Sequence, residues 1–356
     1  MNALYLTSIG EAAGKSALCA ALGRIFKADG WKVGYFKPVA VIAEKAEAGD
    51  KDTEFLKQIL ALEEPVELLC PASFSAKDFL ASANEKEPAW LVKAKDAYAR
   101  VAQGKDAVLI EGVSGFQTGS DPALAGSRAV EALGAKAILV IRYESVLQAS
   151  QIVDAAKVLG GNLLGVVINA VPQRRMESVK ANLSPSLEQS GIKVLGVLPE
   201  DRALLTVSVG ELAEHLGGSI LSSPERSEDL VESVMVGAMS PDPAVSYLSL
   251  KQNKAVVTRG DRPDIQLAAL QTSTSCLVLT NNINPLPNIL SRAQAVKVPL
   301  VTVKDDTVRT MEALEGVLDK AKFSHEKKVE RLAQLLEQHL DLESIRRAAQ
   351  AQQVSS

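Results

Sequence analysis

Residues 7–16 read TSIGEAAGKS, and the reading of this stretch decides the fold. Its end, Gly14-Lys15-Ser16, closes the phosphate-loop pattern G-x-x-x-x-G-K-[ST], but Ile9 stands where that pattern has its first glycine. The tripeptide alone is a weak signal, so its surroundings decide. ALYLTS (3–8) before it is a β-rich apolar run, and residues 15–28 after it carry apolar side chains at helical spacing, ending at Gly30. Strand, tight loop and helix N-terminus, in that order, are what phosphate binding requires. Backbone amides curl round phosphate oxygens, Gly14 lets the main chain approach, Lys15 bridges the terminal phosphates and Ser16 ligates magnesium. ATP and Mg2+ are therefore the expected ligands, contacted by Ser8, Gly10, Glu11, Ala12, Ala13, Gly14, Lys15, Ser16 and Ala17.

Working outward, further apolar runs follow at KVGYFKPV (32–39), AVLIEG (107–112), AILVIRY (137–143), LLGVVINAV (163–171) and VLGVLP (194–199), with a helical pattern at 146–159. The runs are continuous, not alternating, which predicts strands buried on both faces of a largely parallel sheet. Residues 1–205 thus read as one doubly wound α/β domain. At Ser208 a capping box, with Glu211 three residues on, starts a short helix over 209–216. SILSS (219–223), SVMVGA (233–238), KAVVTRG (254–260), CLVLTNN (276–282) and PLVTVK (299–304) then alternate with helical patterns at 263–271, 286–296 and 307–320. This predicts a second, smaller α/β domain over 206–320. Residues 321–356 read as a helical tail, with Ser324 as N-cap and Val329, Leu332, Leu336 and Leu340 on one face. That stripe needs cover, either from its own domain or from a second copy, and a homo-oligomer is expected.

Composition narrows the function. The chain has 356 residues, net charge −4, 47% hydrophobic and 23% charged residues, so no basic field recruits nucleic acid. Cys19, Cys70 and Cys276 are scattered, and with three histidines they leave little for a zinc site. They read as buried thiols of a reducing compartment. The N-terminus carries no signal-peptide pattern and no apolar run is long enough for a membrane span, so a cytoplasmic protein without membrane or nucleic-acid partners is expected.

Read from Thr7, the loop resembles the longer phosphate loop of dethiobiotin synthetase, T-G-T-D-T-x-V-G-K-T, with Ser8 for its first glycine. YFKPVA (35–40) is similar to that family's G-Y-K-P-V-A strand and LIEGVSG (109–115) to its V-E-G-x-G-G strand end. VINAV (167–171) and VLGVLPED (194–201) resemble its adenine-side and closing strands. The resemblance implies a catalytic set of Lys15, Lys37 and Glu111, and magnesium ligation by Ser16, Asp52 and Glu111. It also implies contacts to the nucleotide from Asn169 and Pro199. Read on its own, Glu111 at the end of a buried strand favours a facing cation over the alternative of a capped, solvent-exposed strand end, and Asp52 is a helix-start residue. Asn169 has an amide able to read an adenine edge. Val41 stands for a family serine and Ser114 for a family glycine, both on the substrate side, so the family's own substrate is not expected here.

VVTRGDRPDIQLAAL (256–270) resembles the core of the DRTGG domain, and VMVGAMS (234–240) its V-x-G-A-M segment. The signature T-G-G becomes Thr280-Asn281-Asn282, where asparagine tolerates the left-handed turn. Gly260, Asp261, Arg262, Asp264 and Thr280 are the candidate ligand site of this domain. Asp261 and Asp264 are also candidate caps, and Arg262 pairs with an acid or binds an anion. The succession of the two domains resembles the N-terminal, regulatory part of long phosphate acetyltransferases, and also a free-standing protein of the phosphotransacetylase family. The sequence stops where a transferase domain would begin, so acetyltransferase activity is not expected. Two functions stay open: a MgATP-binding regulator acting on a partner enzyme, or an ATP-dependent ligase that activates a small carboxylate.

Overall fold

The computed structural model describes residues 2–42, 50–83, 85, 88–115, 120–146, 148–315, 323 and 325–350. The chain divides into two compact units, one of residues 1–200 with 323–356, the other of residues 201–322.

The first unit is built on strands β1 (Ala3–Ser8), β2 (Val33–Phe36), β5 (Ala107–Glu111), β6 (Lys136–Arg142), β7 (Leu163–Val171) and β8 (Val194–Pro199). They form one sheet in the order β2-β5-β1-β6-β7-β8, every neighbouring pair parallel. The continuous apolar runs have their expected cause: all of β1 and β5 is buried, so each side chain meets a helix layer on one face or the other. β1 lies at the centre, with β5 on one side and β6 on the other, and every strand points its carboxyl end to the same edge. Between β2 and β5 the chain inserts a small parallel pair, β3 (Ala40–Ile42) with β4 (Ser73–Ser75), and helices including α2 (Lys51–Ile59). Strands of three residues carry too little periodicity to be read in advance.

The tail is not a separate helical segment, and this corrects the boundary at 321. It returns to the first unit as two helices, Glu326–His339 and Leu342–Gln350. Val329, Leu332 and Leu336 are buried against α1 (Lys15–Ala28), so the apolar stripe finds its cover within the unit. The single helix expected over 324–352 breaks at Leu340, which turns extended and bridges antiparallel to Gly196 on the edge strand β8. Asp341 N–H then donates to the Leu195 carbonyl at 2.8 Å, and the Asp341 carboxylate accepts from Ser344 N–H at 3.0 Å to start the second helix. Ser324 lies outside the described residues; the first tail helix is capped by His325, whose ring accepts from Lys327 N–H.

The second unit holds a sheet in the order β10-β15-β14-β13-β12, where β10 is Ser219–Ile220, β12 Ser233–Val236, β13 Lys254–Arg259, β14 Thr274–Thr280 and β15 Leu300–Thr302. β12 to β15 run parallel and β10 joins antiparallel. Val256, Leu277, Leu279 and Leu300 face one core with Ile265 and Ile289, while Val257, Cys276, Val278 and Val301 face another with Val209 and Leu212. The capping box at Ser208 forms as expected: Glu211 N–H donates to the Ser208 hydroxyl at 3.1 Å and Ser208 N–H to the Glu211 carboxylate at 2.9 Å. β9 (Val207–Ser208) and β11 (Leu230–Val231) pair antiparallel beside it. No described helix is long and apolar enough to cross a membrane.

A side chain at Gly196 would overlap the His339 carbonyl oxygen, since backbone meets backbone there. Gly196→Val is therefore expected to lift the tail off β8 at a cost of about 2 kcal/mol, read as a lower midpoint of urea unfolding.

Candidate functional site

The site assembles at the carboxyl edge of the first sheet, where open α/β sheets take ligands. Thr7 and Ser8 end β1, and the loop 9–14 crosses to α1. Gly14 adopts a left-handed φ of 97° and, as N-cap of α1, offers no side chain to the helix amides. Those amides face outward as anion donors. Ala12 is also left-handed, with φ 49°. The loop keeps its shape without a glycine at position 9. The buried Ser8 hydroxyl donates to the Gly10 carbonyl at 2.6 Å, and the Asn169 amide on β7 donates to the Ala13 carbonyl at 2.9 Å. Gly10, Glu11 and Ala12 are exposed on the loop, Ala13 is buried and Ala17 sits half-buried on α1.

Lys15 lies folded in, 8% exposed, its ammonium donating to Ser8 Oγ at 3.0 Å and to Ser114 Oγ at 2.5 Å. Burial lowers its pKa below the ordinary lysine value, against the opposing pull of Glu111. Glu111 ends β5 and is 5% exposed. Its Oε1 accepts from the Ser16 hydroxyl at 2.9 Å and its Oε2 from the Tyr35 phenol at 2.9 Å. Burial, and next the Glu111 charge, hold the Tyr35 phenol well above its usual range. Lys37, just past the end of β2, donates to both oxygens of Asp50 at 2.8 and 2.9 Å and stands 3.6 Å from Glu111 Oε1. Burial alone would lower the Lys37 pKa, but Glu111 and then Asp50 outweigh it and hold the ammonium above the ordinary lysine range. Asp50 is fixed in turn by Thr53, whose hydroxyl and N–H donate to Oδ2 at 2.5 and 3.1 Å.

The fold thus brings together Ser8, Lys15, Ser16, Lys37 and Glu111. Asp52 lies exposed on the first turn of α2, where its charge also acts on Lys37, while Asp50 makes the direct contact with the Lys37 ammonium. In GDKDTEF both aspartates read as helix-start residues; the signal that separates them is Thr53, three residues after Asp50, as an N-cap pair requires. Asn169, expected at an adenine edge, spends its amide on main chain, with Oδ1 accepting from Ala170 N–H at 2.9 Å. Pro199 ends β8 at the same edge, half-buried. Tyr35, Asp50 and Ser114 belong to the site and were not among the expected ligands. Gly112 is needed for packing, because a Cβ there would overlap the Tyr5 ring. Two of the thiols, Cys19 and Cys276, are buried, and burial pushes Cys276 up to about 12.

Among the described residues no three or more His, Cys, Asp or Glu are grouped as a metal cage. Glu111, Asp50 and the Ser16 hydroxyl are hard oxygen donors, and two carboxylates completed by phosphate oxygens are the usual protein share of a Mg2+ shell. The donor set fits that ion.

In the second unit, Arg262 is the N-cap residue of helix Pro263–Ala269 and makes no side-chain cap. Asp261 and Asp264, expected as caps, are turned to arginines instead. Asp264 takes Arg262 in a bidentate pair at 2.8–3.2 Å, and Asp261 takes Arg259 at 2.6–2.9 Å. Arg262 also donates to the Met239 carbonyl at 2.8 Å. Gly260 packs against the Ile283 backbone, and the buried Thr280 hydroxyl meets Thr307 at 3.0 Å. Asn281 and Asn282 have φ of 67° and 52°, so asparagine keeps the left-handed turn of the altered T-G-G signature. Arg259 and Arg262 border a cleft of about 820 Å³ floored by Val234, Val236 and Met311.

Family comparison agrees with both units. The AAA domain model matches residues 2–207 and the DRTGG domain model residues 211–317. The chain belongs to the AAA-domain family. It joins that P-loop domain to a DRTGG domain, the succession its sequence suggested. A phosphate acetyltransferase from Nitratidesulfovibrio vulgaris is 25% identical over 96% of this chain and 50% of its own length. One from Nitrosomonas europaea is 23% identical over the same shares, so the chain spans about half the length of these relatives. The ATP-dependent dethiobiotin synthetase of Clostridium acetobutylicum is 26% identical over 56% of this chain and 86% of that enzyme. Among solved structures, cobyrinic acid a,c-diamide synthase from Mycobacterium smegmatis, with bound ADP and magnesium, aligns at 15% identity over 56% of this chain and 87% of that one, TM-score 0.39.

If Asn169 holds the loop through the Ala13 carbonyl, Asn169→Ala loses about 1 kcal/mol, roughly 2–4 °C in melting temperature for a unit of this size. Differential scanning calorimetry of the ligand-free protein measures it; an unchanged midpoint would remove Asn169 from the loop's support.

Proposed function

We propose that the first unit binds MgATP and that the protein is a nucleotide-responsive regulator. One observation carries this reading: Lys15, Lys37 and Glu111, the charged groups at this edge, each have a partner within the protein. Lys15 rests on Ser8 and Ser114, Lys37 on Asp50, and Ser16 on Glu111. These contacts tie the phosphate loop to the segment after β5, and the end of β2 to the start of α2. A triphosphate and its cation take over the same groups, so loading exchanges contacts within the protein for contacts to the ligand. A ligand that binds one arrangement better than another shifts the population between them, which is what a sensor needs.

A second reading has an observation of its own. Lys37 from the end of β2 and Lys15 from the first turn of α1 stand at the edge where phosphates would lie, the equipment for stabilising a transferring phosphoryl group. The likeness to an ATP-dependent dethiobiotin synthetase supports it. In that case a substrate carboxylate oxygen attacks the γ-phosphorus, ADP leaves, and a nucleophile then displaces phosphate from the acyl phosphate. Ser114, whose hydroxyl touches Lys15, would line the place of that substrate.

Calorimetric titration with MgATP, with phosphate release followed in parallel, separates the two. Saturable binding without turnover is the expected result. Steady turnover accelerated by one small carboxylic or amino acid would establish the ligase instead. Lys15→Met is expected to weaken MgATP binding by at least about tenfold, the loss of one charge-assisted phosphate contact; unchanged affinity would sink both readings.

A further inference from the structure

Lys37 is placed oddly for a group whose role is to meet an anion. Its ammonium lies 2.8 and 2.9 Å from the two oxygens of Asp50 and 3.6 Å from Glu111 Oε1, with its side chain only 12% exposed. Among the described residues, Asp50 and Glu111 are the carboxylates that face Lys37, at 14% and 6% side-chain exposure. Ser16, the hydroxyl expected on the metal, is bonded to the same Glu111 oxygen that faces Lys37. One positive charge therefore stands among the three protein donors of the magnesium site.

We propose that in the nucleotide-free protein the Lys37 ammonium occupies the place of the divalent cation, and that Mg2+ entering with a nucleoside triphosphate displaces it. This rests on the phosphate-loop reading above. A buried carboxylate, Glu111, beside a partly buried one, Asp50, is costly without a counter-charge, and Lys37 supplies it when no metal is present. Mg2+ gives up its water reluctantly, and two carboxylates already neutralised by an ammonium are a poor inducement. Asp50, Glu111 and Ser16 would hold the ion, and the phosphates of the nucleotide would supply the further oxygen donors that favour its entry. The cation and the nucleotide then load together. The displaced ammonium, still anchored at the end of β2 by Lys37 N–H donating to the Leu69 carbonyl at 2.8 Å, is released toward the anionic ligand at the same edge. The exchange makes Lys37 a reporter of the loaded state: paired with Asp50 before, with the ligand after.

The test needs no nucleotide. Mn2+ is titrated into the full chain and free Mn2+ is read by electron paramagnetic resonance, for wild type, Lys37→Gln, Lys37→Arg and Lys37→Gln with Asp50→Asn. Lys37→Gln is expected to bind Mn2+ at least about tenfold more tightly than wild type, because the competing charge is gone. Lys37→Arg should stay near wild type, and the double variant should lose the gain. Lys37→Gln binding no tighter than wild type would overturn the exchange. Should Lys37→Gln not fold, wild type answers through the Nζ resonance of 15N-lysine-labelled protein, assigned by its loss in Lys37→Arg. It should move with MgATP and stay with Mg2+ alone; a resonance unmoved by saturating MgATP overturns the proposal. Wild type that binds no MgATP at all would instead refute the phosphate-loop reading, and the Mn2+ comparison would still judge Lys37.

Discussion

The carboxylate of Glu111 organises the first unit's edge. It ends the strand beside the central one, 5% exposed, in a place where an unpaired charge would cost several kcal/mol. Three elements answer it. α1 brings the Ser16 hydroxyl, β2 brings the Tyr35 phenol, and the turn after β2 brings the Lys37 ammonium. Each of these groups is held by its strand or helix, so the carboxylate fixes the mutual position of the phosphate loop and of the segment that follows β2. Gly112 next to it admits the Tyr5 ring, which closes the core under the site. A change at Glu111 would not remove one contact; it would leave Tyr35 and Ser16 to find new partners and Lys37 with Asp50 alone.

Much of this was legible in the residues. In the first unit the continuous apolar runs end within one residue of their strands, except 32–39, which runs three residues past β2, because a strand buried on both faces has few polar positions to blur its limits. Lys15, Ser16, Lys37 and Glu111 were readable since strand ends and the helix start fix where they point. The tail was harder. Its stripe Val329, Leu332, Leu336, Leu340 continues the helical spacing across the break, and only Asp341, a capping residue, marks the second start. What ends the first helix is tertiary: the edge of β8 offers Gly196 and the Leu195 carbonyl, and backbone pairing there outweighs one more helical turn. Sequence spacing cannot weigh that, because the partner lies far away in the chain.

The second unit shows the same limit in its charges. Asp261 and Asp264 have the right residue type and position for caps, and the sequence left capping and an Arg262–acid pair both open. Arginines lie two residues before each of them, and a bidentate guanidinium pair satisfies both carboxylate oxygens at once where a cap satisfies one. The turn is thus stiffened by ion pairs, and the arginine heads at the cleft are already neutralised. An anion arriving there would have to compete with a carboxylate held two residues away.

Competition of this kind links the chemistry of both units to a general point about phosphate loops that depart from the common pattern. Glycine at position 9 is not the only way to shape the loop. The Ser8 hydroxyl ties to the Gly10 carbonyl and the Asn169 amide to the Ala13 carbonyl, and Ala12 accepts a left-handed conformation that an L-residue adopts only at some cost. These bonds fix the loop's backbone through groups of the protein itself. On the MgATP reading proposed above, a triphosphate would then have mainly side chains to displace, Lys15 from Ser114 and Lys37 from Asp50. The departure from consensus and the internally paired lysines would in that case serve the same end, a backbone fixed in advance around lysines that change partner.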